Sequence, residues 1–335
     1  MTERSVPRDS IAAEGKGIPI FRELNTDHSP RSCAELLAEL QTPPVVDSRE
    51  LVFDNVGARD VYNITAPFSL NGKTLLAGRV ERRETEFSEI VFFEQTTNGH
   101  WTACFTHPDF VGLQDPCITR AGNDLLLGGV RYPVSMDNGE LRYRMDFYRG
   151  PSLESLKFAF SGPIGMKDIR FKQLRNGRVA VFSRPQGAIG GRGQIGFALC
   201  DSWDAINAEL IGSAPVFDGQ LLKDEWGGVN EVHLLANGYL GVLGHIACFD
   251  SRHHRHYYPM VFMVDPTSRR RTPIRIIARR SYFPNGVAKR PDLVDVVFSG
   301  GMVRNGGGTA QLYAGISDVA AAVVELPDPF IQYEN

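Results

Sequence analysis

Asp115 lies in the run Gln114-Asp115-Pro116-Cys117-Ile118-Thr119-Arg120, a carboxylate on a tight Asp-Pro corner that opens a short apolar strand. Proline biases the residue before it toward extended geometry, so the corner is expected to hold Asp115 extended. The preceding Phe110-Val111-Gly112-Leu113 supplies a glycine and apolar contacts of the kind that raise a carboxylate's pKa. A positioned carboxyl with a raised pKa is what general acid catalysis requires. Asp-Pro is also a common turn dipeptide, and turn chemistry alone gives it a purely structural reading. Its company along the chain sets it apart. Asp60, Asn63 and Arg79 belong to one unit, Asp115 and Arg131 to a second, and Lys167, Asp168, Arg170 and Arg184 to a third. Asn230, Glu231 and His245 follow in a fourth, and Asp318 interrupts an apolar, small-residue segment in a fifth. Taken singly, Arg79 and Arg184 read as strand-edge charges, His245 as a satisfied core histidine and Asp318 as a turn carboxylate accepting backbone bonds. Together they place charged groups at comparable points of every unit.

The elements that must position these groups are short runs of β-formers: KTLLAGRVE, SEIVFFEQ, DLLLGGVRY, YRMDFYRG, VAVFSRP, QIGFALCD, YLGVLGHIA, PMVFMVDP, LVDVVFSGG and AQLYAGIS. Between them lie hairpin signals at Asn71-Gly72, Asn98-Gly99, Gly122-Asn123, Asn138-Gly139, Asn176-Gly177 and Asn237-Gly238. Comparable units begin near Asp60, Asp115, Asp168, Asn230 and Asp292, at intervals of about 52 to 62 residues, the length of a four-stranded blade with its loops. The expected fold is all-β, a five-bladed β-propeller over residues 55–330. In that geometry the polar residues leading each innermost strand converge on one mouth of a central channel. Residues 1–54 form an N-terminal extension with one short helix, Arg31 to Leu40, capped by Ser32 with Leu36, Leu37 and Leu40 on one face.

The 36 basic and 39 acidic side chains nearly balance, at a formal net charge of −3, which gives no reason to expect a nucleic-acid or membrane partner. No run approaches the roughly 18 apolar residues of a membrane span, and the N-terminal residues lack the apolar core of a signal peptide. Cys33, Cys104, Cys117, Cys200 and Cys248 are widely spaced and odd in number, so they read as buried thiols of a reducing, cytoplasmic compartment, neither a disulfide framework nor a zinc site. His253-His254-Arg255-His256 and Arg269-Arg270-Arg271 read as solvated loop and rim turn, although the first could line the acceptor groove and both could touch a phosphorylated or nucleotide ligand. Gly190-Gly191-Arg192-Gly193 lacks the strand-to-helix context of a nucleotide loop.

The Asn63 and Arg79-x-Glu81 order, the GLQDP corner, the Lys167-Asp168 segment before an Arg184-ended strand, NGYLGVLGH and LYAGISDVAAAVVEL together resemble the β-mannoside phosphorylases of glycoside hydrolase family 130. The resemblance is closer to the domain-of-unknown-function-1861 group, the β-1,2-mannosyltransferases and phosphorylases of glycosyltransferase family 108, and it spans about residues 55–330. It implies that Asp115 is the proton donor while phosphate attacks the anomeric carbon with inversion. It implies a phosphate pocket of Arg131, Lys167, Arg170, Arg184 and His245, with Asp60, Asn63, Arg79, Asp168, Glu231 and Asp318 holding sugar. Guanidinium groups suit phosphate because they donate two parallel hydrogen bonds. The implied partners are manno-oligosaccharide, phosphate or mannose-1-phosphate, and a nucleotide donor such as GDP-mannose; no cofactor and no metal is implied. Gln114 and Cys117 replace the family-130 Glu and Arg, and Asn230-Glu231 stands where that family has prolines, so the acceptor side should differ.

Two other readings compete. Glu231 could activate water opposite Asp115, giving an inverting hydrolase, although a water nucleophile gives no reason to gather cations. A non-catalytic carbohydrate-binding propeller is compatible with the fold, but would be expected to offer aromatic platforms where charges dominate here.

Overall fold

The computed structural model describes residues 23–24, 29–41, 47–104 and 108–334. The architecture is all-β. Two short strands come first, β1 (Ser48–Glu50) and β2 (Phe53–Asp54), followed by five antiparallel meanders in chain order. The first contains β3 (Asp60–Tyr62), β4 (Phe68–Leu70), β5 (Lys73–Glu81), β6 (Ser88–Gln95), β7 (Trp101–Cys104) and β8 (Phe110–Val111). The second is β9 (Leu113–Ala121), β10 (Asp124–Ser135), β11 (Leu141–Gly150) and β12 (Lys157–Ser161), and the third is β13 (Arg170–Gln173), β14 (Val179–Ser183) and β15 (Gly196–Cys200). The fourth is β16 (Trp226–Leu234), β17 (Leu240–Phe249), β18 (Arg255–Val264) and β19 (Arg275–Ile276), and the fifth is β20 (Asp295–Arg304), β21 (Thr309–Ile316) and β22 (Ala320–Pro327).

Residues 48–54, expected within the N-terminal extension, are built into the sheets. β1 pairs antiparallel with β22 and completes the fifth meander, while β2 pairs parallel with β7 of the first. A segment near the N-terminus therefore ties the last sheet beside the first.

All six glycine-asparagine signals fall between paired strands. Asn71 and Gly72 both have positive φ (51° and 78°), the two-residue turn whose twist matches the strands it joins. At Asn98, Asn138, Asn176 and Asn237 the side-chain oxygen instead accepts the backbone N–H two residues on, at 3.0–3.2 Å.

Among the described residues the apolar side chains form five clusters, each shared by two neighbouring meanders. Phe92, Phe110 and Leu127 join the first to the second; Phe147, Phe171 and Val181 join the second to the third. Phe182, Phe197, Val242 and Phe262 join the third to the fourth, and Leu243, Met263, Leu312 and Val324 the fourth to the fifth. Leu76, Phe93, Tyr313 and Val323 join the fifth to the first, so the packing is cyclic. Truncating a fully buried phenylalanine such as Phe182 to Ala would cost about 3–5 kcal/mol.

Helix α1 (Cys33–Ala38) occupies the expected helical segment. Ser32 accepts from the Glu35 N–H at 3.2 Å while Glu35 accepts from the Ser32 N–H at 2.8 Å, a reciprocal cap. Cys33 and Leu36 are buried, and Leu37 and Leu40 pack on the cluster between the third and fourth meanders. Two short helices not expected from sequence are α2 (Gly187–Gly190), in the β14–β15 loop, and α3 (Ala208–Gly212), in the connection from the third meander to the fourth. Among the described residues no helix is long and apolar enough to cross a membrane.

Candidate active site

The leading strand of each meander is irregular at a matching level. Register shifts by one residue opposite Asp115-Pro116 in β9, at Asn230 in β16 and at Gly300 in β20. Asn63 follows β3 and Asp168 precedes β13, both with left-handed backbone (φ 46° and 58°). Asp115 is left-handed too, at φ 50°, which corrects the extended geometry expected before Pro116. The bulge requires a local reversal that aspartate tolerates better than most residues, and it outweighs the proline's bias. Ser317 and Asp318, in the β21–β22 turn, share the same backbone region (φ 53° and 54°). Held strain of this kind clusters where side chains must be aimed rather than merely packed.

The surroundings of Asp115 are polar, not the apolar wall expected. Its Oδ1 accepts from Asn63 Nδ2 at 2.8 Å and from Arg79 Nη1 at 3.3 Å. Among the described residues no hydrogen bond falls on Oδ2. Gly315 permits this arrangement, since a Cβ there would lie 2.2 Å from Asn63 Oδ1.

Behind Asp115 lies a buried ion cluster. Arg79 donates to Glu81 Oε2 through Nε (3.0 Å) and Nη2 (2.8 Å), and to Glu86 Oε2 at 3.1 Å. Burial works against its charge, yet Asp115 and Glu81 hold it firmly cationic. Lys289 donates to Glu81 Oε1, to the Thr85 carbonyl at 3.0 Å and to Glu86 Oε1 at 3.1 Å. Lys289 was not foreseen, because it sits in an irregular loop whose only sequence signal is a lysine beside an arginine. Asp318 completes the cluster. Burial, with the nearby Asp115 charge and against the pull of Arg79, pushes its carboxyl up to about 6 from an ordinary 3.8. Ionising Asp318 therefore opposes folding, and its contribution to stability, full below pH ~4, is lost as pH rises through about 6. Asp318→Asn is expected to stabilise the protein at pH 7.5 by up to about 3 kcal/mol and to change little at pH 4, read from melting curves at the two pH values.

On the other side, Asp168 and Arg184 form a buried pair at 2.7 Å, with Arg184 only 3% exposed. Burial alone would raise the Asp168 carboxyl, but Arg184, His245, Lys167 and Arg170 hold it well below the usual range. His245 is fully buried, and burial pushes its pKa down to about 3 against the pull of Asp168. It is neutral at physiological pH, with Nδ1 2.8 Å from Asn230 Oδ1 and its ring stacked on Tyr257. Gly193 must lack a side chain here, because a Cβ would lie 2.4 Å from Arg184 Nε.

Asp115 opens onto a cavity of about 380 Å³ whose charged lining includes Lys167, Arg184, Arg192 and Arg255. The Arg192 guanidinium lies over the Phe249 ring at 5.2 Å and the Trp226 ring at 5.9 Å. Arg255 pairs with Asp292 at 2.5 Å. Among the described residues the Lys167 ammonium has no ion-pair or hydrogen-bond partner. Arg192 lay in the glycine-rich segment set aside for lacking nucleotide-loop context, and Arg255 in the histidine-rich loop read first as solvated and second as able to touch a phosphorylated ligand, so neither is among the expected site residues.

Several expected site residues lie elsewhere. Arg131 does not line this cavity: it donates to Asp146 Oδ2 (3.0 Å), the Val111 carbonyl (2.8 Å) and Tyr148 Oη (2.8 Å), bracing strands. Arg170 is buried and donates to the carbonyls of Asn230 (2.8 Å) and Ile169 (2.9 Å). With Glu231 it lines a separate cavity of about 420 Å³ beside Phe147 and Phe171. Glu231 accepts from the Met302 N–H at 2.6 Å and pairs with His233 at 3.0 Å. His245 contributes no positive charge to the pocket. Asp60 is clamped by Arg83 Nε and Nη2 at 2.9 and 2.7 Å and lines a third cavity. Asp168 holds Arg184 rather than opening onto the cavity itself. Arg271, expected at a solvated rim, is buried and donates to the Gly219 carbonyl at 2.6 Å.

The model of the DUF1861 family, described as a protein family of unknown function, matches residues 38–332, and the chain belongs to that family. A search of curated protein sequences returned no match. Among solved structures, the chain is similar to MPT-4, a mannose phosphorylase from Leishmania mexicana determined with phosphate ion, at 35% identity and a TM-score of 0.80, covering 90% of this chain and 93% of that one. It is similar to MPT-1, a GDP-Man-dependent mannosyltransferase from the same organism, at 32% identity and a TM-score of 0.79, covering 88% and 93%. A structure from the GH130 family of mannoside phosphorylases, described as containing glycoside hydrolases that target β-1,2 mannosidic linkages in Candida mannan, shares the fold at 15% identity and a TM-score of 0.55, covering 81% and 87%.

Proposed function

We propose that the protein is a mannoside phosphorylase or mannosyltransferase that moves a mannosyl group between a β-1,2-linked manno-oligosaccharide and phosphate, with inversion. The observation that carries this reading is Asp115 facing one cavity with Lys167, Arg184, Arg192 and Arg255. Asp115 Oδ2, free of the hydrogen bonds that fix Oδ1, carries the proton to the leaving oxygen. Asn63 and Arg79 aim that carboxyl. Phosphate in the cationic cavity is itself the nucleophile, so no second carboxylate is needed to activate water. In the reverse direction the same cavity accepts the phosphate of mannose-1-phosphate or of a nucleotide-mannose donor such as GDP-mannose. Written this way the reaction consumes no cofactor. Glu231, the base the hydrolytic alternative would use, lines a different cavity.

The fold proposed with it is a five-bladed propeller over residues 55–330, its last blade completed by β1. Five meanders, cyclic apolar packing and the β1–β22 pairing support it. With β-1,2-mannobiose, release of mannose-1-phosphate is expected only when phosphate is supplied. Equal release of free mannose in phosphate-free buffer would instead establish hydrolysis.

A further inference from the structure

The five cysteines are free thiols, and their spacing along the chain carries no metal signature. The fold nevertheless brings two of them together. Cys33 opens α1, Cys248 lies near the end of β17, and Glu225 precedes β16. Their two Sγ atoms and one Glu225 carboxylate oxygen all lie within 4.8 Å of one another. Glu225 is 8% exposed; its Oε1 accepts from the Cys33 N–H at 2.8 Å, and its Oε2 is buried with no hydrogen-bond partner. An orphaned buried carboxylate oxygen costs free energy unless something polar or cationic meets it.

We propose that Cys33, Glu225 and Cys248 bind a zinc-class divalent cation that clamps α1 to the fourth meander. Two thiolates and a carboxylate are a donor set for zinc, with water in the remaining tetrahedral position. At zinc–sulfur distances of about 2.3 Å the ligand atoms of a tetrahedral site stand roughly 3.7 Å apart, so the cluster contracts by about 1 Å at most. A disulfide would need the sulfurs at about 2.05 Å, a larger movement, and would leave Glu225 Oε2 unmet. The clamp sits directly behind the proposed active cavity. Glu225 adjoins Trp226 and Cys248 adjoins Phe249, two rings of the cavity wall with centroids 4.8 Å apart. Metal binding releases the thiol protons, so affinity falls as pH falls.

The test uses the full chain, purified under reducing conditions, stripped of metal and titrated with cobalt(II) as a spectroscopic stand-in for zinc. Expected are one equivalent of cobalt per chain with thiolate-to-cobalt charge-transfer absorption, displacement by zinc, and a higher melting temperature with zinc than with chelator. Glu225→Gln should weaken binding about 10-fold or more, and Cys248→Ser should abolish the charge-transfer band. Absence of that band in the parent protein, or its survival in a Cys33→Ser/Cys248→Ser double variant, would overturn the proposal. So would recovery of Cys33 and Cys248 as a disulfide-linked peptide from reduced, metal-treated protein. Circular dichroism of each variant separates loss of the site from loss of the fold.

Discussion

Asp115→Asn is expected to lower turnover by about 10²–10⁴-fold, the loss that accompanies removal of a general acid, while ligand binding and melting temperature stay close to the parent's. Asparagine tolerates the left-handed backbone that Asp115 adopts at φ 50°, so the bulge survives the change. Its side-chain oxygen still accepts from Asn63 and Arg79, and Arg79 keeps Glu81 and Glu86 as counter-charges. What disappears is the proton that the carboxyl would deliver from Oδ2. If Asp115 served only the corner, the division would be reversed: the melting temperature would drop and activity per folded molecule would persist. Turnover and melting measured on one preparation distinguish these outcomes. A stable, ligand-binding variant with near-normal turnover would remove Asp115 from the mechanism.

The middle strands of the meanders were readable in the sequence because most of their residues are buried on both faces. KTLLAGRVE and SEIVFFEQ coincide with β5 and β6, and the asparagine-glycine turns between strands carry their own backbone signal. The leading strands were harder. β13 and β16 face the interior cavities, carry polar residues such as Arg170 and Glu231, and β16 is bulged, so neither keeps the alternation of an ordinary strand. For the same reason the site was legible by position but not by role. Asp115 was named from its Asp-Pro corner and Asn63, Arg79 and Asp318 from the resemblance of their segments, and the fold sets Asn63 and Arg79 on Asp115 with Asp318 nearby. Arg131 and Arg170 were grouped with the phosphate ligands because charge was visible and direction was not. A guanidinium that donates to strand carbonyls looks the same in sequence as one aimed into a cavity. Cys33 and Cys248 read as separate buried thiols because α1 and β17 meet only in the folded chain.

Direction also separates the two cations most exposed to mutation. A solvent-facing Arg184 could be removed at little cost to stability, but the side chain is 3% exposed and holds buried Asp168 at 2.7 Å. Arg184→Ala removes the only ion-pair partner within 3 Å of that carboxylate among the described residues, leaving neutral His245 at 3.8 Å, and should destabilise the protein by about 3–5 kcal/mol. Lys167 is half-buried on the same cavity and makes no ion pair, so Lys167→Ala should leave the melting temperature nearly unchanged. Its expected cost falls on the ligand: phosphate or mannose-1-phosphate affinity should drop about 10- to 150-fold, the loss of one charge-assisted hydrogen bond of roughly 1.5–3 kcal/mol. The double variant Arg184→Ala/Asp168→Asn removes both buried charges. It should regain much of the lost stability without regaining phosphate affinity, because the stability loss belongs to Asp168 and the affinity loss to the cavity. Calorimetric titration with phosphate alongside thermal melts reads both quantities. Unchanged phosphate affinity in Lys167→Ala and in the double variant would mean that this cavity is not where phosphate binds.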